Sequence, residues 1–341
     1  MLDGMLANDR LLDIIKNFVC FSNTSEKTIK ILAGYHQYFA VRKAVVKAQE
    51  AINGNGKIGV FWHTQGSGKS LSMVFFAHLL REYIENLTLV VITDRNDLDD
   101  QLSSQFEKCK KFLRQTPEQA NSRQDLKHKL VDRQVNGIIF TTMQKFTEGN
   151  EPLCDRSNVV VMVDEAHRGQ YGLTERIDEE GNIKVGAAKL VRDALPNAAY
   201  IGFTGTPIAT KDKNTREIFG DYIDVYDMTQ SVEDDATRPV FYESRVIALK
   251  LDKEKVAQID QLYKDFAEQA DERSIEKSKM NVGGLDAVLS TPETIESLCK
   301  DIVEHYENNR SEILSGKALI VAYSRTAAIK IYYEILKQRP Q

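Results

Sequence analysis

Five short apolar runs, rich in β-branched residues, constrain the fold of this chain more than any other feature of its sequence. The runs are Ile58–Trp62, Leu87–Thr93, Gly137–Thr142, Val159–Val163 and Tyr200–Thr204. Longer helical or polar segments separate them. Short buried strands that alternate with helices are typical of a parallel sheet covered on both faces. The sequence therefore predicts an α/β fold built on a parallel sheet.

The regions on either side of these runs carry other patterns. The stretch up to about residue 49 is predicted to be helical. Its first apolar residues are Leu11, Leu12, Ile15, Phe18 and Val19. Lys250–Arg310 is charged and helix-like, and its Asp252–Lys279 part is predicted to be a solvated helical face. A last apolar strand, Ala318–Tyr323, precedes a helical pattern over Ala327–Leu336, which predicts the start of a second α/β unit.

Composition excludes several classes of protein. Of the 341 residues, 42% are hydrophobic and 28% are charged, which is ordinary for a globular protein and argues against disorder. No apolar run approaches the ~20 residues of a membrane helix, and no signal peptide is seen, so a cytoplasmic protein is expected. Four scattered cysteines lack metal-site spacing and are expected to be reduced. The net charge of −5 means that any DNA contact would use a local patch.

A glycine-rich loop follows the first apolar run and precedes the amphipathic stretch Leu71–Ile84. The loop reads His63, Thr64, Gln65, Gly66, Ser67, Gly68, Lys69 and Ser70. Strand, glycine loop, Lys-Ser and helix, in this order, form the context of a phosphate-binding loop. The glycines let backbone N–H groups point at phosphate oxygens, and the helix N-terminus adds partial positive charge. Lys69 can reach the β- and γ-phosphates, and the Ser70 hydroxyl can bind Mg²⁺.

One residue of this loop departs from the general pattern. That pattern, G-x-x-x-x-G-K-[ST], opens with a glycine, whereas this chain has His63 at that position. Two roles are open for His63, contact with a nucleotide or packing against the loop, and packing is favoured. For the loop as a whole, the alternative is a structural turn that happens to end in Lys-Ser.

A short acidic segment follows the apolar run Val159–Val163. It reads Asp164, Glu165, Ala166 and His167. A carboxylate at the carboxyl end of a buried parallel strand lies where such sheets bind ligands. Asp164 would hold Mg²⁺, Glu165 would orient and deprotonate an attacking water, and His167 would contact the γ-phosphate or relay its loss. Alone, this segment could be a solvated helix start, but with the phosphate loop it predicts a nucleoside triphosphatase.

The phosphate loop and the Asp164–His167 segment together resemble the first and second motifs of superfamily 2 helicases. The segment Gly202–Pro207 is similar to their third motif. In the family this motif couples the state of ATP to a second lobe, a role that the resemblance assigns to Thr204 and Thr206. The alternative is a purely structural Thr-Gly-Thr-Pro turn, and coupling is favoured. The resemblance implies a RecA-like lobe that binds ATP with Mg²⁺, followed by the beginning of a second such lobe.

Further positions take their expected roles from the same resemblance. Arg95, Thr142 and Gln144 lie where the family has motifs that contact the DNA backbone. Gln37 lies where the family often has a glutamine that reads adenine. Each has an alternative: a solvated glutamine for Gln37, and a capping role for Thr141 or Thr142.

Longer segments are similar to a narrower group, the motor subunits of type I restriction–modification enzymes. They are Phe61–Ser70, Asp94–Asp99, Asp164–Arg168, Tyr242–Arg245 and Ala322–Arg325. This resemblance implies an ATPase that moves along double-stranded DNA, with methyltransferase and specificity subunits as partners. It divides the chain into a helical lead-in (1–50), an ATP-binding lobe (51–230), and a connector with an incomplete second lobe (231–341).

The chain also departs from that family pattern. No convincing nuclease motif is found, and the fifth and sixth motifs, which carry arginine fingers, are expected beyond Gln341. The chain is therefore expected to be a motor fragment that binds ATP but hydrolyses it weakly at best. Two other functions remain open: another superfamily 2 enzyme, such as a type III restriction or repair translocase, or a nucleotide-dependent regulatory switch that does not move DNA.

Overall fold

The computed structural model of the chain consists of two units, Met1–Val240 and Phe241–Gln341. It describes residues 2–23, 27–93, 96–131, 137–146, 151–166, 175–177, 183–205, 212–244, 291–309 and 317–340.

The first unit contains eleven described strands and ten described helices. The strands are β1 (Val19–Asn23), β2 (Thr28–Leu32), β3 (Lys57–His63), β4 (Thr88–Thr93), β5 (Glu118–Gln119), β6 (Gly137–Thr142), β7 (Val159–Val163), β8 (Glu175–Ile177), β9 (Ile183–Val185), β10 (Ala199–Thr204) and β11 (Tyr222–Tyr226). The helices are α1 (Leu2–Met5), α2 (Asn8–Asn17), α3 (Tyr35–Ile52), α4 (Lys69–Tyr83), α5 (Asn96–Lys108), α6 (Lys110–Leu113), α7 (Arg123–Val131), α8 (Ala187–Ala194), α9 (Asp212–Phe219) and α10 (Met228–Glu233).

Seven of these strands form one parallel sheet, in the order β11-β3-β10-β7-β4-β6-β5. The five apolar runs correspond to β3, β4, β6, β7 and β10, so the predicted fold class, a parallel sheet flanked by helices, is confirmed. The sequence patterns did not reveal the edge strands β5 and β11. Both edge strands are shorter or more polar than the central ones, which is why they carry a weaker signal.

The central strands are apolar along their whole length because both faces of the sheet are covered. Every residue of β4 is buried. Leu89 and Val91 point into one hydrophobic cluster, which includes side chains of α3 and α4. Val90 and Ile92 point into the other, which includes side chains of α7 and α8. This alternation follows from the two-residue repeat of a strand.

The order of the strands brings three loops together. β10 pairs with β3 on one side and with β7 on the other, and all three run parallel. Their carboxyl ends therefore meet at the same edge of the sheet. The glycine-rich loop follows β3, the acidic segment follows β7, and Gly205 follows β10. This edge is where ligands bind in open parallel sheets.

The stretch up to about residue 49, predicted to be helical, contains α1, α2 and most of α3, but an antiparallel hairpin, β1–β2, separates α2 from α3 and was not predicted. Of the predicted apolar face, Phe18 is fully buried, but Leu12 and Ile15 are 68% and 59% exposed. The cause is the orientation of α2. Its Asp13 carboxylate accepts a hydrogen bond from Tyr38 Oη at 2.8 Å and forms an ion pair with an arginine of α3, which turns the Leu12 face outward.

In the second unit, two described helices, α11 (Pro292–Asn309) and α12 (Arg325–Gln338), pack through Ile295, Cys299 and Ile331. The helix predicted over 327–336 is confirmed as α12. The strand predicted over 318–323 is wrong, since that segment has no strand pairing and Leu319 is 89% exposed. A strand needs a neighbour for its backbone hydrogen bonds, and residues 291–309 and 317–340 provide none.

Three further predictions concern the charged stretch, the cysteines and membrane helices. The charged stretch 252–279 lies outside the described residues. The four cysteines are buried and have free thiols. Among the described helices, none has both the length and the apolar character needed to cross a bilayer.

Candidate nucleotide-binding site

The glycine-rich loop makes a tight turn between β3 and α4. Gly66 and Gly68 have φ angles of 84° and 86°, a left-handed conformation that glycine adopts at no steric cost. Ser67 closes the turn by donating from Oγ to the Thr64 carbonyl at 2.6 Å. Helix α4 begins at Lys69, and the first N–H groups of a helix have no partner within it. The loop and the helix terminus therefore form a cradle suited to an anion.

Lys69 is the first residue of α4, and its side chain is close enough to the acidic segment for the carboxylates to act on it. Burial lowers the pKa of Lys69, while the nearby carboxylates of Glu165 and Asp164 act in the opposite direction. A buried ammonium group is costly unless anions surround it. Burial therefore outweighs the two carboxylates in its effect on the pKa, and a bound polyanion would add negative charge that favours the ammonium form.

Gly205, at the end of β10, is in close contact with the same lysine. A Cβ atom at this position would lie 2.8 Å from Lys69 Nζ and 3.0 Å from Gln65 Cγ. Neighbouring Thr204 is almost fully buried. The structure thus brings the predicted third motif against the phosphate loop, and Gly205 is a site residue that the sequence singled out only as part of a motif.

The acidic segment has an unusual backbone at its centre. Glu165 has a φ angle of 51°, in the left-handed region that non-glycine residues occupy at a cost of about 1 kcal/mol or more. Its N–H donates to Asp164 Oδ1 at 2.9 Å. The backbone of Ala166 bonds to that of Phe203 in β10 at 2.9 Å. Such strain is common at functional sites, and here it affects the residue with the predicted catalytic role.

Gln37 contacts the phosphate loop directly. It is 5% exposed, its Nε2 donates to the Gly68 carbonyl at 2.9 Å, and its Oε1 accepts from the Gly34 N–H at 2.8 Å. The alternative of a solvated glutamine is therefore wrong. Its role in reading adenine stays a prediction.

His63 packs behind the loop, as the sequence analysis favoured. Its ring is fully buried and lies 4.2 Å from the Phe61 ring. Its Nε2 is 3.3 Å from Asp224 Oδ2, on the edge strand β11. Burial lowers the pKa of His63, and the carboxylate only partly offsets this. Nothing in the sequence pointed to Asp224, because it lies more than 150 residues further along an edge strand that was not predicted.

A second aromatic group flanks the loop on the same side. His36 stacks on Tyr226 with ring centroids 4.1 Å apart, and its Nε2 lies 3.0 Å from the Ser67 carbonyl. Tyr226 and Tyr35 both donate hydroxyl hydrogen bonds to Asp234, at 2.9 and 2.5 Å. These contacts hold the N-terminus of α3 and the segment after β11 beside the loop.

The residues predicted to contact DNA are less completely placed. Thr142 ends β6 and is 2% exposed, so its side chain is covered in this structure. Thr141 Oγ1 is buried, and no hydrogen-bond partner for it is found among the described residues, so it does not cap a helix. Arg95, Thr206 and His167 lie outside the described residues.

The donor set fits a hard cation that is bound jointly with phosphates. In the described part of the chain, no three His, Cys, Asp or Glu side chains cluster as a metal site. Ser70 lies in the first turn of α4, and Asp164 directly follows β7. Mg²⁺ is usually held by one or two protein oxygens together with substrate phosphates, which is the number of ligands that Ser70 and Asp164 could supply.

Comparison with known proteins gives a family. The SWI2/SNF2 ATPase model matches residues 36–276. The HindI type I restriction enzyme endonuclease subunit of Haemophilus influenzae is 41% identical over the whole chain, and a similar putative subunit of Methanocaldococcus jannaschii, MjaIXP, is 32% identical over 99% of it. The chain spans 32% and 31% of these relatives, about a third of their length.

Solved structures were also found. The DNA-bound type ISP restriction–modification enzyme LlaBIII is 15% identical, with a TM-score of 0.43 over 62% of this chain and 16% of that one.

Proposed function

The chain belongs to the SWI2/SNF2 ATPase family, and from that premise we propose that it is the ATP-binding motor region of an enzyme that hydrolyses ATP to move along double-stranded DNA. One observation carries the ATPase part of this proposal. The phosphate loop, Gly205 and the acidic segment meet at one edge of the sheet. Lys69, at the end of the phosphate loop, is close to Gly205 and to the acidic segment. A phosphate cradle beside two carboxylates is the arrangement that phosphoryl transfer to water needs.

Within this site, we assign each residue a role from its position. The loop N–H groups and Lys69 bind the β- and γ-phosphates, and Ser70 and Asp164 hold Mg²⁺. When bound, the metal would neutralise negative charge on the phosphates. Glu165 orients a water molecule and accepts its proton. For His167 we keep the proposed contact with the γ-phosphate.

Gly205 gives a physical route from the nucleotide to the rest of the protein. Gly205 and the Lys69 side chain are packed so closely that no side chain fits between them. A movement of the lysine toward a phosphate would therefore change the packing at the end of β10. Thr204 and Thr206 flank that point in the sequence. We propose that this segment couples the state of ATP in the ATP-binding lobe (residues 51–230) to a second lobe, which begins within residues 231–341.

The wider biological role rests on the relatives. Their names describe endonuclease subunits of type I restriction enzymes, and this chain matches about a third of each. We therefore propose that it works in the motor subunit of such an enzyme, with methyltransferase and specificity subunits as partners. Arg95, Thr142 and Gln144 would contact DNA mainly through its backbone, so binding would be independent of sequence and weakened by salt.

The experiment that tests this function is ATP hydrolysis by the purified protein, measured with and without linear duplex DNA. Protein in excess over labelled ATP would detect even a slow single turnover. We expect DNA to accelerate hydrolysis, and Glu165→Gln to reduce it at least ~100-fold while ATP still binds. The matched control is Glu82→Gln, at an exposed glutamate of α4 that pairs with Lys16. A hydrolysis rate that is the same with and without DNA would contradict the motor role and favour a nucleotide-dependent switch.

A further inference from the structure

The position at which this loop departs from the general pattern has a well-defined environment. His63 ends β3 with a fully buried side chain. Its ring packs against Phe61 and lies 5.5 Å from the rings of His36 and Tyr226. Since no part of this ring is exposed, it has no surface to offer a nucleotide. Any effect of His63 on binding must pass through its neighbours.

Those neighbours reach the phosphate loop from outside. His36 stacks on Tyr226 with an angle of 6° between the rings, and its Nε2 lies 3.0 Å from the Ser67 carbonyl. The backbone carbonyl of Tyr226 accepts from the Thr64 N–H at 2.9 Å. His63 fills the space beneath this stacked pair. We call His36, His63, Asp224 and Tyr226 the loop support.

Asp224 fixes the orientation of the His63 ring. Its Oδ2 lies 3.3 Å from His63 Nε2, and its Oδ1 accepts from Lys43 Nζ of α3 at 2.6 Å. Burial would raise the pKa of Asp224, but the hydrogen bonds from His63 and Lys43 outweigh it and hold the pKa below its ordinary value. With Asp224 ionised, the proton on the neutral His63 ring is on Nε2. One tautomer in one orientation then links β3, β11 and α3.

We propose that His63 is a positioning residue for the triphosphate, because it holds the phosphate loop in its binding shape through the loop support. This inference rests on the proposed ATP-binding function. A loop with two glycines gains conformational freedom when its outer contacts are lost, and each conformation that turns its N–H groups away weakens phosphate binding. The general pattern has a glycine at this position, which has no side chain to support the loop. In this chain the histidine side chain adds a contact between the loop and the edge strand β11.

The test is the affinity of the purified protein for a fluorescent ATP analogue with Mg²⁺, measured together with the melting temperature. We expect His63→Gly, which restores the general pattern, to weaken binding about tenfold while the protein stays folded. Free imidazole, which fits the space left by the ring, should restore a measurable part of that affinity. Asp224→Ala should weaken binding several-fold, and Asp224→Asn, which keeps an acceptor for His63, should weaken it less.

The matched control is Asp221→Ala, at an exposed residue just before β11 that pairs with Arg216. It should leave the affinity unchanged. The inference is overturned if folded His63→Gly binds ATP as tightly as the wild type, or if Asp221→Ala weakens binding as much as Asp224→Ala. If His63→Gly does not fold, the two Asp224 variants decide by the same criterion. Failure of the wild type to bind would instead overturn the proposed function.

Discussion

The phosphate loop and the acidic segment use the same region of backbone space with different residue types. Gly66 and Gly68 have left-handed φ angles of 84° and 86°, and Glu165 has one of 51°. Glycine adopts this conformation freely, whereas glutamate does so at a cost. The loop is therefore relaxed in its binding shape, while the acidic segment is held in a strained one.

This difference fits the separate tasks that we propose for the two regions. The loop has to present N–H groups in a fixed arrangement, and residues such as Gln37 and His36 hold it there through its carbonyls. Glu165 has to present one carboxylate to a reacting water, and the surrounding fold imposes its conformation. The loop therefore keeps its shape at no conformational cost, whereas Glu165 keeps its backbone conformation only because the surrounding fold imposes it. Exchanges between glycine and alanine at the two regions should therefore have opposite effects on stability.

Of three substitutions that bear on this difference in backbone conformation, Gly68→Ala is expected to have the largest effect. A methyl group at φ 86° is strained by about 1–2 kcal/mol, and it would lie 2.8 Å from Gln37 Nε2. Both stability and ATP affinity should fall, the affinity by more than about tenfold. Chemical denaturation and titration with an ATP analogue measure the two quantities. Unchanged stability would show that the loop is not held as described.

A smaller effect, on affinity alone, is expected from Gly205→Ala. Its φ is not left-handed, so the new methyl group would be accommodated by a shift of the Lys69 and Gln65 side chains, which are its nearest neighbours. Moving Lys69 away from the cradle should weaken ATP binding about fivefold, with little change in the melting temperature. A loss of stability without a loss of affinity would contradict the contact between β10 and the loop.

The smallest effect is a higher stability of Glu165→Gly than of Glu165→Ala. Both variants remove the carboxylate that acts on Lys69, so only the left-handed strain differs between them, and its relief should raise the free energy of unfolding by about 0.5–1 kcal/mol after the greater freedom of glycine in the unfolded chain is subtracted. The matched control is the pair Arg114→Gly and Arg114→Ala, at φ 52° on an exposed turn, where glycine should give a similar gain. A stability of Glu165→Gly no higher than that of Glu165→Ala would mean that the backbone at this position is not strained.

Sequence alone predicted the parts of the site that follow strong local signals. The five central strands are buried on both faces, so their apolar runs were visible, and the order of the motifs followed from them. The N-terminal hairpin was missed because the helical pattern was extended through it. The exposure of the Leu12 face was also not predicted, since it follows from tertiary bonds between Asp13 and α3. The strand at 318–323 was predicted from its apolar residues, but a strand also requires a partner.

The missed residues of the site share one property. Asp224 and Asp234 act on the loop from edge strand β11 and the segment after it, about 160 or more residues from the loop in the chain. No local pattern announces such a contact. His63 was the only signal, since an unexpected side chain in place of glycine needs space and a partner. The left-handed backbone of Glu165 is likewise invisible in a sequence, although the residue itself was singled out by the acidic motif.

The measurement that tests the account most directly is ATP binding by Lys69→Met, compared with the wild type and with Lys57→Met, at the first residue of β3 and away from the phosphate loop. Lys69→Met keeps the volume of the side chain but removes the charge that contacts the phosphates, so affinity should fall ~100-fold or more. Burial lowers the pKa of Lys69 in the folded state. At pH values below that lowered pKa, the protonated lysine therefore reduces the free energy of unfolding, because its charge is better solvated in the unfolded chain. Near neutral pH, Lys69→Met should therefore melt at the same temperature as the wild type or higher. Lys69→Met that binds ATP as tightly as the wild type, while Lys57→Met is equally unaffected, would contradict a nucleotide site at this loop.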